Sequence, residues 1–77
     1  MPTILRIGPY RFHFYSNEKN EPPHIHVRFN NTECKYWLDP VQLAKNMGVP
    51  AHKLHEIERL VFEHQILLRE RYHEFHA

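Results

Sequence analysis

His24-Ile25-His26-Val27-Arg28-Phe29-Asn30-Asn31-Thr32-Glu33-Cys34-Lys35-Tyr36-Trp37-Leu38 decides the fold of this chain. Side chains two apart on a strand leave the sheet on the same side. His24, His26 and Arg28 therefore share one face, and Ile25, Val27 and Phe29 share the other. Asn30-Asn31 resembles a two-residue hairpin turn, because Asn tolerates positive φ better than most residues. A turn of that length fixes the pairing by counting. Arg28 stands opposite Glu33, His26 opposite Lys35 and His24 opposite Trp37, while Val27 meets Cys34 and Ile25 meets Tyr36. One face is then apolar and the other polar, so a slip of one residue would expose the apolar set.

Two more strands precede this hairpin. Thr3 to Ile7 reads as the first, closed by the Gly8-Pro9 turn signal. Tyr10 to Tyr15 alternates, with Tyr10, Phe12 and Phe14 on one side and Arg11, His13 and Tyr15 on the other. Residues 16–23 are polar, end in two prolines and read as an exposed loop. After Asp39-Pro40, Val41 to Met47 is expected to be a short helical turn or an extended connector. Gly48-Val49-Pro50 is a break, and Pro50 suits the first position of a helix.

From Ala51 onward Leu54, Ile57, Leu60, Val61, Leu67, Leu68 and Phe75 recur at helical spacing. Glu56 and Glu58 come early, and Arg69, Arg71 and His73 late, in favourable order for the helix dipole. The expectation is one long amphipathic helix, about 51–72, fraying after Arg71. The predicted fold class is α+β: an antiparallel sheet of about four strands (about 3–38), a connector (39–50) and one helix packed on one face, in a single domain spanning residues 1–77. His13, Tyr15, His24, His26, Arg28, Glu33, Lys35 and Trp37 would be left on an open face.

Composition narrows the function classes. A chain of 77 residues buries only about 60% of its unfolded surface, which leaves little room for a deep private pocket. Cys34 is the only cysteine, so an internal disulfide and a Cys-based zinc site are excluded. No secretory signal is expected from Met1 to Ile7, and no stretch approaches the roughly 20 apolar residues of a membrane span. The expected location is the cytoplasm, with no membrane partner. The formal net charge is +1, but the half up to Leu38 is mildly basic and the remainder mildly acidic, a weak electrostatic footprint. The eight histidines carry more information, since each gains charge as pH falls towards about 6.5.

The runs Ile7-Gly8-Pro9-Tyr10-Arg11-Phe12, Phe14-Tyr15-Ser16-Asn17-Glu18 and Asn20-Glu21-Pro22-Pro23-His24-Ile25-His26-Val27 resemble the bacterial family named domain of unknown function 4160. Lys35-Tyr36-Trp37-Leu38-Asp39-Pro40 and Glu56-Ile57-Glu58-Arg59-Leu60-Val61 are similar to it as well. The resemblance spans roughly Met1 to Leu68. It departs after Arg69, and at Pro50 and His52, where a Ser or Thr cap and a polar residue are expected. It implies a small protein often encoded beside a second small protein, in pairs resembling toxin–antitoxin modules, and hence a companion as heteromeric partner. It carries over no catalytic residues.

Read on their own chemistry, the polar-face residues suit metal-independent RNA cleavage. His24 and His26 would serve as base and acid, Arg28 as phosphate clamp, and Glu21 as an alternative base. Arg28 and Lys35 would hold phosphates while Tyr15 or Trp37 stacks on a base of RNA, with the RNA or a ribosome completing the site. The structural alternative is that these are ordinary cross-strand pairs, each contributing about 0.2–1 kcal/mol.

A second expectation is a histidine metal site from His13, His24 and His26, completed by Glu21 or Glu33; Arg28 disfavours a dication there. No cofactor is expected. A third needs no chemistry: edge strands, or an open face bearing Tyr15, Trp37 and Arg28, would dock a protein partner. The pairs His52 with His55 and His73 with His76 read as solvated, His64 as partly buried packing, and Cys34 as a small buried hydrophobe.

Overall fold

The structure is a computed structural model that describes residues 3–17 and 20–77. Five strands, β1 (Thr3–Ile7), β2 (Tyr10–His13), β3 (His24–Phe29), β4 (Thr32–Leu38) and β5 (Val41–Met47), are followed by helices α1 (Ala51–Glu63) and α2 (Gln65–Phe75). The strands form one antiparallel sheet in the order β1-β2-β3-β4-β5. The fold class is α+β, with five strands rather than about four and two helices rather than one.

The β3–β4 register is the one that counting gives. His24 pairs with Trp37, His26 with Lys35, Arg28 with Glu33, Ile25 with Tyr36 and Val27 with Cys34. Asn30 takes φ 54°, so the turn does use the left-handed conformation.

Val41 to Met47 is a strand, not a helical turn or connector. Leu38 pairs with Val41 and Glu33 with Met47 across the Asp39-Pro40 turn, with an irregularity between Lys35 and Tyr36. The segment has weak β-propensity of its own, and the exposed edge of β4 supplies the pairing that overrides it. β2 ends at His13, two residues earlier than expected.

The helices cover the apolar side. Tyr10, Phe12, Phe14, Ile25, Val27, Cys34, Tyr36 and Leu38 are buried against Ile57, Leu60, Val61, Leu68 and Tyr72. Burial pushes the Cys34 thiol up to about 12, so it packs as a hydrophobe. Polar ends of core residues find helix partners: Tyr10 donates to Glu56, Tyr36 to the Leu54 carbonyl at 3.3 Å, and Arg69 Nη1 to the Leu38 carbonyl at 2.9 Å.

Pro50 is the cap residue rather than the first helical one. Its carbonyl accepts from the backbone N–H of Lys53 at 3.0 Å and of Leu54 at 2.9 Å. The Asn46 side chain fixes the approach, donating to the Val49 carbonyl at 3.0 Å and accepting from the Val49 N–H at 2.9 Å.

The single long helix is broken at His64 (φ −108°, ψ 14°). The His64 ring there bonds the Leu60 carbonyl at 2.8 Å, giving that carbonyl a partner outside the regular ladder. The break also removes the expected end-to-end dipole arrangement. No acid lies in the first turn of either helix, and only His73 is basic in a last turn.

α2 continues to Phe75 instead of fraying after Arg71. Buried Tyr72 anchors it by donating to the Glu21 carbonyl at 2.9 Å. His76 is half-buried rather than solvated, its ring 4.4 Å from that of Tyr72.

Candidate functional site

Pairing across the sheet sorts its polar face into rows. One runs Arg6, Arg11, Arg28, Glu33 over four strands. The next runs His13, His26, Lys35, Lys45, and a third runs His24, Trp37, Gln42. Glu33 is the only acid within these strands, against Arg6, Arg11, Arg28, Lys35 and Lys45.

Glu33 is the centre of the face. Its carboxylate accepts from the Tyr15 hydroxyl at 2.9 Å and 3.0 Å. His13 Nε2 lies 3.4 Å away, His26 Nδ1 3.5 Å and Arg28 Nη2 3.7 Å. The carboxylate is buried, and its desolvation is offset by the Tyr15 hydrogen bonds and by the partly exposed Arg28, while His13 Nε2 and His26 Nδ1 face it without hydrogen-bonding to it. His13 and His26 stack with ring centroids 5.7 Å apart, and Tyr15 packs edge-on at 4.4 Å from the His26 ring. Burial lowers the pKa of His13; His26 and Arg28 add to that and Glu33 opposes it.

The expected open strip of His24, His26 and Arg28 is divided. His24 is 0% exposed and His26 5%, while the Arg28 side chain is 42% exposed. Tyr15 packs on His13 and His26, and Tyr72 of α2 packs on His24, so these histidines do not lie on an uncovered surface. His24 Nδ1 lies 2.8 Å from the Pro22 carbonyl, an N–H···O bond in the tautomer that protonates Nδ1. Its ring is enclosed by His26 at 5.2 Å, Trp37 at 5.9 Å and Tyr72 at 5.4 Å. Glu21, the alternative base, is paired with Lys35 instead. The Lys35 ammonium also sits 4.7 Å from the Trp37 ring centroid, a cation–π contact.

His13, His24 and His26 are thus gathered as packed rings rather than as converging ligands. Among the described residues no three His, Cys, Asp or Glu side chains are placed to hold a metal ion. No helix among them is long and apolar enough to cross a membrane.

Two residues of the face escape the sequence-based expectations. Arg6 and Arg11 line a pocket of about 240 Å³ together with Arg28, beside the Gly8-Pro9 turn and Asn30. The signal was present: a two-residue turn at Gly8-Pro9 puts Arg6 opposite Arg11, by the same counting that pairs β3 with β4.

Comparison with known proteins gives no match among curated proteins and none among solved structures. Residues 10–73, from the first residue of β2 into the last turn of α2, match the family model described as Domain of unknown function (DUF4160), and the chain belongs to that family.

Proposed function

We propose that this protein is the RNA-directed component of a two-protein module of the toxin–antitoxin type, and that it binds RNA across the polar face of its sheet. The charge balance of that face carries the reading: the basic residues Arg11, Arg28, Lys35 and Lys45 share it with a single strand carboxylate, Glu33, which is buried. Half-buried Tyr15 and Trp37 lie among them. Cations for phosphates beside aromatic rings for bases is the combination that single-stranded nucleic acid requires. A phosphate would displace Glu21 from Lys35, exchanging one ion pair for another.

The test is the affinity of the purified protein for a single-stranded RNA oligonucleotide as a function of salt. The logarithm of the association constant should fall against log salt by about 0.7 per phosphate contacted. Arg28→Ala should flatten that slope, and Trp37→Ala should cost about 1–3 kcal/mol. An absence of binding at low salt would end the reading.

Cleavage is a second reading, with His24 and His26 as acid and base, Arg28 as clamp and Glu21 as the alternative base. One observation favours it. His26 Nδ1 stands 3.5 Å from the Glu33 carboxylate, a neighbour suited to a base, and its ring packs edge-on against half-buried Tyr15. RNA that drew Tyr15 aside would reach it. Intact cellular RNA after expression of the protein alone, unchanged by His26→Ala, would remove this reading.

The partner in the module is a companion small protein. Support comes from apolar side chains left outside the core: Phe62 is 62% exposed and Ile66 65%, and Leu43 and Met47 stand exposed on edge strand β5. Co-expression with the neighbouring gene's product should yield one co-migrating complex, and separate elution of the two proteins would count against it. A lone buried thiol suits a reducing compartment, and we place the protein in the cytoplasm.

A further inference from the structure

We propose that the pocket formed by Arg6, Arg11 and Arg28 is a receptor for the terminal phosphate monoester of an RNA strand. This rests on the RNA reading above and names the feature of the RNA that is read.

The pocket lies at the end of the sheet where the β1–β2 and β3–β4 turns come side by side, and it measures about 240 Å³. That is below the roughly 300–1,000 Å³ of pockets that take drug-sized molecules. It suits an anionic group better than a nucleobase.

Three arginines opposite one another on consecutive strands are costly. Directly opposed residues in an antiparallel pair stand about 4.5–5.5 Å apart at Cα, and like charges so placed destabilise the sheet. Arg6 pairs with Arg11 and Arg11 with Arg28. Among the described residues no carboxylate pairs with Arg6 or Arg11; Arg28 alone reaches one, Glu33, at 3.7 Å. An unneutralised row of this kind is accounted for if a multiply charged anion occupies it.

Charge selects which anion. Three guanidiniums less one carboxylate leave two positive charges. A phosphate monoester carries about −1.5 to −2 at neutral pH, as in phosphorylated side chains. An internal diester carries a single negative charge and would leave the row half neutralised. Guanidinium forks bond two phosphate oxygens at once, so three of them can saturate the oxygens of a terminal group. From the pocket the strand would continue over Tyr15 towards Lys35 and Trp37.

The experiment compares one RNA sequence with a 5′-phosphate, with a 3′-phosphate and with hydroxyls at both ends, by fluorescence anisotropy on the full chain. One phosphorylated form should bind at least about tenfold more tightly than the hydroxyl form, a factor equivalent to about 1.4 kcal/mol. Which form it is identifies the end that is read. Arg6→Gln and Arg11→Gln should each abolish the difference, and their Tm should be unchanged or higher, because a like charge has left the row. Equal binding of all three forms would overturn the proposal while leaving RNA binding intact. Failure of every form to bind would overturn both.

Discussion

Glu33 of β4 and His13 of β2 approach to 3.4 Å across the polar face, although β3 lies between their strands. The contact makes one buried carboxylate the common partner of groups from β2, β3 and the segment after β2. Removing its charge should therefore disturb more than a pair. Glu33→Gln leaves Tyr15 with a weaker acceptor and Arg28 without its anion. The expected loss is about 1.5–3 kcal/mol, from the charge-assisted hydrogen bonding of Tyr15, with little added by Arg28 because its side chain is partly exposed. Urea denaturation measures it, and a change below about 0.5 kcal/mol would mean the cluster is energetically idle.

Acid should destabilise the protein through His13. Its pKa in the folded state is lowered from 6.5, chiefly by burial. The unfolded chain then binds the proton more readily than the folded one, so stability rises with pH between the folded pKa and 6.5. This contribution is fully present above 6.5 and is lost as pH falls from there through the lowered folded value. One proton gives a slope of up to about 1.4 kcal/mol per pH unit. Thermal melts at a series of pH values on the wild type and His13→Gln should show a shallower acid limb in the variant. Parallel limbs would assign the acid sensitivity elsewhere.

The two isoleucines of the helices should behave oppositely. Ile57 is 0% exposed beneath the sheet and Ile66 is 65% exposed. Ile57→Ala should cost about 2–5 kcal/mol through lost burial and a residual cavity. Ile66→Ala should stay within about 0.5 kcal/mol for the chain alone. Comparable costs would mean that the helices pack on the sheet in another rotation.

Gly48 joins β5 to α1 at φ +97°, and a Cβ there would stand 3.2 Å from Thr32 Cγ2. Gly48→Ala meets both backbone strain and a crowded neighbour, for about 1–3 kcal/mol. Gly8, at φ +54° with open space around it, isolates the left-handed cost, expected at about 1–2 kcal/mol. Chemical denaturation of the two variants should rank Gly48→Ala as the more damaging, and the reverse order would deny the Thr32 contact.

Much of the sheet was legible because parity is a strong constraint. Ile25, Val27, Cys34 and Tyr36 can face a core in only one register, and the observed pairing is that register. β5 was not legible: Gln42, Ala44, Lys45 and Asn46 have little intrinsic preference for a strand, and their conformation is imposed by β4. The break at His64 was hidden because apolar spacing runs straight through it, from Leu60 and Val61 to Leu68. At the site, the grouping of His13, His26, Arg28 and Glu33 on one face followed from the same parity. The burial of His13, His26 and Glu33 did not, because parity gives the side on which Tyr15 lies but not that its ring closes on the two histidines and its hydroxyl on the carboxylate. Arg6 and Arg11 could have been found, since the Gly8-Pro9 turn fixes their pairing as surely as Asn30-Asn31 fixes that of Arg28 and Glu33.

In this meander every strand hydrogen-bonds only to its immediate predecessor and successor in sequence. Each ladder can thus zip outward from a nearby turn, and little chain entropy is spent on closing large loops. The exceptions are the docking contacts of the helices: Tyr10 must find Glu56 of α1, 46 residues on, and Tyr72 of α2 must find the Glu21 carbonyl, 51 residues back. A ribosome releasing this protein would hand over a sheet able to assemble as it emerges, with the final helix arriving last to clamp the segment that leads into β3.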